Sequence, residues 1–236
     1  MRTLRLLAAL IRWDVIREMR RRDTIPTMIL FALLVLFVAQ MGIGPDRGPR
    51  SVGSSVGPVF FWITVLFAGT VGLARAFSVE RESDALGAIL TSPADLGLFY
   101  LAKVAATWAY VMVMAAAALG IYSVLFGFSA WSKLGLILGA EAVFSLAYIA
   151  IGVVLAAMTS SAGGASEVLL RILLFPMMIP IVWLTLRTSE RLFDAEIAGG
   201  ALGPPIRPMH FFAAALAFDT IYLCAGYLLF PKVLEE

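Results

Sequence analysis

The chain has 236 residues, of which 61% are hydrophobic and 14% are charged, whereas soluble domains have about 45–50% apolar and about 25% charged residues. A soluble fold of this size could not bury so much apolar surface, so the composition predicts an integral membrane protein. One cysteine and one histidine exclude an internal disulfide and a zinc site built from several such ligands. The net charge of +2, with no soluble basic domain, argues against nucleic-acid binding.

The N-terminal segment, residues 1–22, is predicted to form a partly amphipathic helix. One face repeats apolar residues at helical spacing, namely Leu4, Ala8, Ile11, Val15 and Met19, and the opposite face carries Arg2, Asp14, Arg17, Arg20 and Arg21. Residues 1–24 are therefore expected to lie in the headgroup layer, with the arginines near anionic lipid. A simple topology anchor and a helix that also lines the cytoplasmic mouth are both compatible with this pattern.

Six apolar runs are long enough to cross a bilayer, which takes about 20 apolar residues in a helix. They are Ile25–Ile43, Pro58–Ala74, Leu96–Phe128, Leu134–Met158, Val168–Leu186 and Phe211–Phe230. Residues 25–230 are thus expected to be a six-span, all-α transmembrane domain, followed by a tail of residues 231–236. The first run is too long for a signal peptide and predicts an uncleaved first helix.

The positive charges predict the orientation of these spans. Twelve of the 18 Lys and Arg residues fall on the side of the N terminus and six on the other. By the positive-inside rule, both termini lie in the cytoplasm, as do residues 75–95 and 159–167. The outer side then receives two longer loops, residues 44–57 and 187–208, and the first half of the second loop is expected to be a short surface helix.

A charged stretch, residues 75–95, separates the second and third spans and is too short and polar to cross the bilayer. It holds a dense charged patch followed by apolar positions, in the order Glu80, Arg81, Glu82, Asp84, Leu86, Ile89 and Leu90. The sequence Thr91-Ser92-Pro93 ends any helix here. A small amphipathic helix of this kind fits a groove on a partner protein, and a solvated connector is the alternative.

Three ionisable residues lie in or near the spans. Lys103 is about two turns past Asp95 and is expected to extend toward the cytoplasmic interface. Glu141 and Asp219 lie within the fourth and sixth spans. A carboxylate at that depth must be protonated, paired or hydrated, which is compatible with a functional role or with an inter-helix hydrogen bond.

Backbone-altering residues also stand out in the spans. Pro176 and Pro180 are four residues apart on one face of the fifth span and are predicted to kink it, either as a hinge or as a fixed packing feature. Gly135 and Gly139 form a Gly-x-x-x-Gly pattern that suits close helix packing in the fourth span.

Several stretches resemble one family of membrane proteins. The sequence Glu80-Arg81-Glu82-Ser83-Asp84 with Ser92-Pro93, between spans two and three, is similar to the coupling segment of ABC export permeases. More narrowly, the chain resembles the CcmB family, the membrane subunit of the ABC-type haem exporter of cytochrome c maturation. That resemblance rests on Leu101-Ala102-Lys103-Val104 with Trp108, on Gly163-Gly164, and on Leu173-Leu174-Phe175-Pro176 with Ile179-Pro180.

The resemblance implies a function and a set of partners. The chain has no Gly-x-x-x-x-Gly-Lys-Ser/Thr loop, so a separate, CcmA-like cytoplasmic ATPase would hydrolyse ATP, and the 75–95 segment would dock on it. CcmC-like and CcmD-like haem-handling subunits, a bacterial inner-membrane location, and a homodimer or a second six-span subunit are further implied. Haem would be transported or handled, but no bound cofactor is assigned, and the chain itself is not expected to be an enzyme.

Two other functions remain open from the residues. One is the permease of an ABC exporter for a lipid, a drug or another substrate. The other is an intramembrane hydrolase that would pair Ser166 with His210, although the predicted topology places them on opposite sides. His210 as an axial haem ligand is weighed against an ordinary interface residue.

Overall fold

The computed structural model describes residues 2–21, 23–43, 57–75, 95–127, 133–159, 166–193 and 208–235. These ranges hold seven α-helices: α1 (Arg2–Arg21), α2 (Thr24–Ile43), α3 (Gly57–Arg75), α4 (Leu96–Phe126), α5 (Leu134–Thr159), α6 (Ser166–Leu192) and α7 (Pro208–Glu235). Within the described part of the chain all regular structure is helical, as the apolar runs predicted.

Helices α2 to α7 are each long and apolar enough to cross a membrane, which confirms the predicted six-span fold. Their apolar cores begin and end within a few residues of the predicted spans. The N-terminal segment is confirmed as a helix, α1; its position at the headgroup layer stays a prediction.

The ends of α4 follow from local sequence. Asp95 caps its N terminus, since one carboxylate oxygen accepts a hydrogen bond from the backbone N–H of Gly97 at 2.8 Å. At the other end, Gly127 adopts a left-handed conformation with φ of 62°, and its N–H donates to the carbonyl of Ser123. A residue with a side chain would be strained there, so the helix ends at Phe126, two residues before the predicted end.

Helix α5 is the centre of the bundle. In its most apolar 18-residue stretch 78% of the residues are buried, against 22% in the corresponding stretches of α2 and α7. It packs against α3, α4, α6 and α7, while α2 lies at the edge against α3 and α4, and α1 packs on α4. Burial in this helix is therefore largely independent of any further subunit.

The spans alternate in direction, so the bundle has two distinct ends. At the end where α1 packs, called here the α1 end, α4 begins and α7 finishes, because Asp95 contacts Tyr227. At the opposite end α3 begins and α6 finishes, because Trp62 contacts Ser189. An aromatic cluster fills the opposite end, formed by Phe61, Trp62, Tyr122, Phe126, Phe144 and Phe193.

Two expectations about α5 and α6 need correction. The glycine pair of α5 was expected to allow close packing of another helix. A Cβ atom at Gly135 would have no atom of another helix within 4 Å, and of this pair only Gly139 lies near another helix, where it faces Phe212. Moreover, α6 continues to Leu192, so residues 187–192 extend the fifth span instead of forming a separate surface helix. Arg187 is consequently buried, 6% exposed, with its guanidinium 5.4 Å from the ring centre of Trp183.

Candidate functional site

The residues predicted to contact an ATPase are Glu80, Arg81, Glu82, Asp84, Leu86, Ile89 and Leu90, and they lie outside the described residues. Their role stays a prediction. The structure does describe both flanks, because α3 ends at Arg75 and α4 begins at Leu96 at the same end of the bundle. The 75–95 segment is thus anchored at the α1 end by two packed helices.

Lys103 makes an ion pair across helices at this end. Its Nζ lies 3.0 Å from Oδ1 of Asp14 in α1, and the two side chains are only 5% and 16% exposed. The ammonium also lies 5.8 Å from the ring centre of Phe99, within the range of a cation–π contact. The side chain of Lys103 is therefore buried and paired with an acid of another helix, and its extension to the cytoplasmic interface stays a prediction.

Asp95 uses both carboxylate oxygens. Oδ1 caps α4, and Oδ2 accepts a hydrogen bond from the hydroxyl of Tyr227 in α7 at 3.1 Å. The Tyr227 ring lies directly against Gly97, where a Cβ atom would collide with it. The residue that ends the 75–95 segment is thereby connected to the last span.

Further hydrogen bonds join α5 to its neighbours through side-chain donors and backbone carbonyls. Trp108 Nε1 donates to the carbonyl of Ala142 at 3.0 Å, and the Tyr100 hydroxyl donates to that of Ala150 at 3.0 Å. The Tyr148 hydroxyl donates to the carbonyl of Leu66 at 3.3 Å. Each bond gives a partner to a side-chain N–H or O–H group that could not bind water in the bilayer core. Trp108 and Lys103, which carried the family resemblance, thus both make inter-helix contacts.

Glu141 and Asp219 are buried as predicted, with 0% and 2% exposure. The four carboxylate oxygens accept no hydrogen bond from the described residues. Asp219 lies beside the backbone of Ala147 in α5. A carboxylate inside a helical bundle is costly when ionised. The function of these two positions stays a prediction.

Pro176 and Pro180 both lie inside α6 and on its exposed face, together with Met177, Ile179 and Trp183. Each proline lacks the N–H that would bond the carbonyl four residues earlier. The helix continues through both residues. A kink at these prolines stays a prediction.

His210 is exposed near the start of α7, at the opposite end of the bundle. Ser166 begins α6 at the α1 end, so the length of the 27-residue helix α6 separates the two residues. Because Ser166 and His210 lie at opposite ends of the bundle, they cannot form a hydrolase site together. Sequence reasoning missed two residues at the α1 end, Asp14 and Tyr227, because their partners are distant in the chain.

Six apolar helices held together by buried polar contacts define a multi-pass helical membrane protein. A comparison with protein families gives the particular family: the model of the CcmB protein family matches residues 5–191. The match covers well over half of the chain, and the chain belongs to the CcmB family. A comparison with curated proteins found no match.

Membership defines the general role of the chain. CcmB proteins are the membrane permease subunits of the ABC-type haem-export system of cytochrome c maturation, and the predicted family is confirmed. The match runs from Arg5 in α1 to Arg191 in α6 and therefore includes Lys103, Glu141 and both prolines. Helix α7, with Asp219 and Tyr227, lies beyond it.

Proposed function

We propose that this chain couples ATP hydrolysis in a separate cytoplasmic subunit to the export or release of haem for c-type cytochrome biogenesis. The observation that carries the proposal is the position of the 75–95 segment in a CcmB-family chain: its flanking helices α3 and α4 meet at the end where α1 packs. A segment held at one end of a bundle can transmit a partner's movement to the spans.

The segment offers two kinds of contact to such a partner. Glu80, Glu82 and Asp84 form its acidic part, and Leu86, Ile89 and Leu90 its apolar part. Nucleotide-driven closure of the ATPase changes the populations of the transport states only through contacts that differ between those states. The segment would supply those contacts, since the sequence holds no phosphate-binding loop of its own.

The same arrangement supports an orientation of the chain in the membrane. The arginine-rich α1 and the 75–95 segment share the α1 end, and this is the end that the positive-inside rule assigns to the cytoplasm. We place both termini in the cytoplasm and the chain in the bacterial inner membrane. The aromatic cluster would then face the outer side.

The complete exporter would need more than this chain. Six spans make one membrane half, so a second copy or another six-span subunit would complete it, with a CcmA-like ATPase and with CcmC-like and CcmD-like haem-handling subunits. Haem is the substrate that membership in the CcmB family favours. We assign no haem ligand in this chain.

Affinity purification in mild detergent tests the proposal. The wild-type chain is expected to retain the ATPase subunit. Charge reversal of Glu80, Glu82 and Asp84 to Lys should reduce the retained ATPase by about tenfold or more, because like charges would replace the proposed attraction. Arg47→Glu with Arg50→Glu is the matched control, since it reverses charges in the predicted outer loop and should change nothing.

A second triple variant separates the two kinds of contact. Replacement of Leu86, Ile89 and Leu90 by Ala removes apolar surface without altering charge, so loss of the ATPase in this variant alone would assign docking to the apolar residues. Normal ATPase retention in both triple variants, or a wild-type chain purified without an ATPase, would refute the proposal. A haem absorbance scan of the purified complex distinguishes haem from another substrate.

A further inference from the structure

The first three turns of α4 are held on two sides by polar contacts. On one side Lys103 forms the ion pair with Asp14 of α1 at 3.0 Å. On the other, Asp95 accepts the hydrogen bond from Tyr227 of α7 at 3.1 Å. Asp95, which caps α4, and Lys103 are eight positions apart, about 12 Å along the helix. Asp95 is the last residue of the 75–95 segment, and Lys103 follows it within the first turns of α4.

We propose that Asp95 and Lys103 are positioning residues that transmit movement of the 75–95 segment to α7 and α1, respectively. This inference rests on the proposed coupling function. It adds a path that membership in the family does not imply. Through this path the segment would move α4, the N-terminal helix α1 and the last span, α7, together. The four residues of this path are called here the transmission joint: Asp14, Lys103, Asp95 and Tyr227.

The geometry of the ion pair suits transmission. Both side chains are largely buried, at 5% and 16% exposure, so water does not readily replace either partner. If α4 moved without α1, Lys103 would lose its carboxylate partner in a poorly solvated place, which is strongly unfavourable. Helix α1 packs on α4, and it therefore follows the start of α4 when that helix shifts.

The contact with α7 is supported by packing as well as by the hydrogen bond. The Tyr227 ring lies against Gly97, and the Tyr100 ring lies against Gly226. Phe230 adds ring contacts with Phe99 and Tyr100, with ring centres 6.1 and 5.4 Å apart. The two helices interlock through this reciprocal arrangement, so a rigid shift of the start of α4 carries the end of α7 with it.

The joint can be tested by measuring how far α1 and α7 move relative to a helix outside it. Arg12 on α1 and Cys224 on α7 are both exposed, and the chain holds one cysteine. Spin labels at Arg12→Cys and at Cys224 are each paired with a label at Met158→Cys on α5, the central helix, where Met158 is 50% exposed; Cys224→Ser is added for the α1 pair. Pulsed electron paramagnetic resonance then reports the α1–α5 and α7–α5 distances. The sample is the full complex with its ATPase subunit, with and without a non-hydrolysable ATP analogue.

We expect the nucleotide to change both wild-type distance distributions, because α1 and α7 would move together with α4 relative to α5. Tyr227→Phe should make the α7–α5 change about fivefold smaller, and Asp14→Asn and Lys103→Gln should do the same to the α1–α5 change, a size typical of residues that carry coupling. The charge-swapped double variant, Asp14→Lys with Lys103→Asp, should restore it, since the opposite charges meet again. ATPase retention should stay at the wild-type level in every variant.

A matched control separates transmission from simple structural support. The Tyr222 hydroxyl donates to the carbonyl of Met177 at 2.9 Å, which is a hydrogen bond of the same chemistry between α7 and α6. Tyr222→Phe should leave the nucleotide-dependent change intact. An equal loss in Tyr222→Phe, an unchanged response in the joint variants, or no response in the wild type would overturn the joint. Failure of the coupling function itself would appear earlier, as a complex without an ATPase subunit.

Discussion

The Tyr100 ring of α4 packs so closely on Gly226 of α7 that a methyl group at position 226 would overlap its hydroxyl. The same hydroxyl donates a hydrogen bond to the carbonyl of Ala150 in α5. One tyrosine thus joins three helices, and it can do so only because the position opposite has no side chain. Small residues that let helices approach closely are a general means of packing in membranes.

Gly226→Leu should therefore destabilise the bundle. The added side chain would displace the Tyr100 ring from the Ala150 carbonyl, at a cost of about 2 kcal/mol or more. Thermal unfolding of the purified chain in detergent measures this. Gly120→Leu is the control, because no atom lies within 4 Å of a Cβ at that exposed position, and an equal loss of stability in both variants would contradict the explanation.

Replacement of Glu141 by Gln should preserve or raise stability. The carboxylate is completely buried and receives no hydrogen bond from the described residues, so an uncharged side chain of the same shape avoids the cost of a buried charge. Glu141→Lys places a longer cation there and should prevent folding. Expression and thermal unfolding of both variants check the expectation, and a large loss of stability in Glu141→Gln would reveal a partner for the ionised carboxylate.

The hydrogen bond between Trp62 and Ser189 should contribute about 1 kcal/mol at the opposite end of the bundle. Trp62 Nε1 donates to Ser189 Oγ at 2.5 Å, and both residues are buried. Trp62→Phe and Ser189→Ala should each lower the unfolding temperature. The double variant should lose less than the sum of the two, because the shared bond is removed only once. Strict additivity would show that the two side chains act independently.

Replacement of Pro176 and Pro180 by Ala tests the hinge interpretation of α6. Each replacement restores an N–H donor to the helix, so we expect the double variant to fold and to be straighter. If the prolines form a hinge, haem export by the reconstituted complex should fall by about tenfold while ATPase retention is unchanged. Wild-type export would identify the prolines as packing features.

The sequence was sufficient for the spans but not for the contacts between them. Composition and apolar run length predicted all six spans, and Asp95 and Gly127 account for the two ends of α4. The partners of Lys103 and Trp62 are 89 and 127 residues away, and hydropathy carries no information about such pairs. The predicted glycine pair shows the same limit: Gly226 packs closely because a tyrosine of another helix lies opposite it, whereas Gly135 has no such neighbour.

The boundary of the family match at residue 191 is not a boundary of the folding unit. Helix α7, which begins at Pro208, packs against α4, α5 and α6. A chain cut to the matched residues would expose faces of three helices to lipid and leave Asp95 without Tyr227. Shortened or chimeric versions of this permease must therefore keep the final helix if the remaining five spans are to assemble.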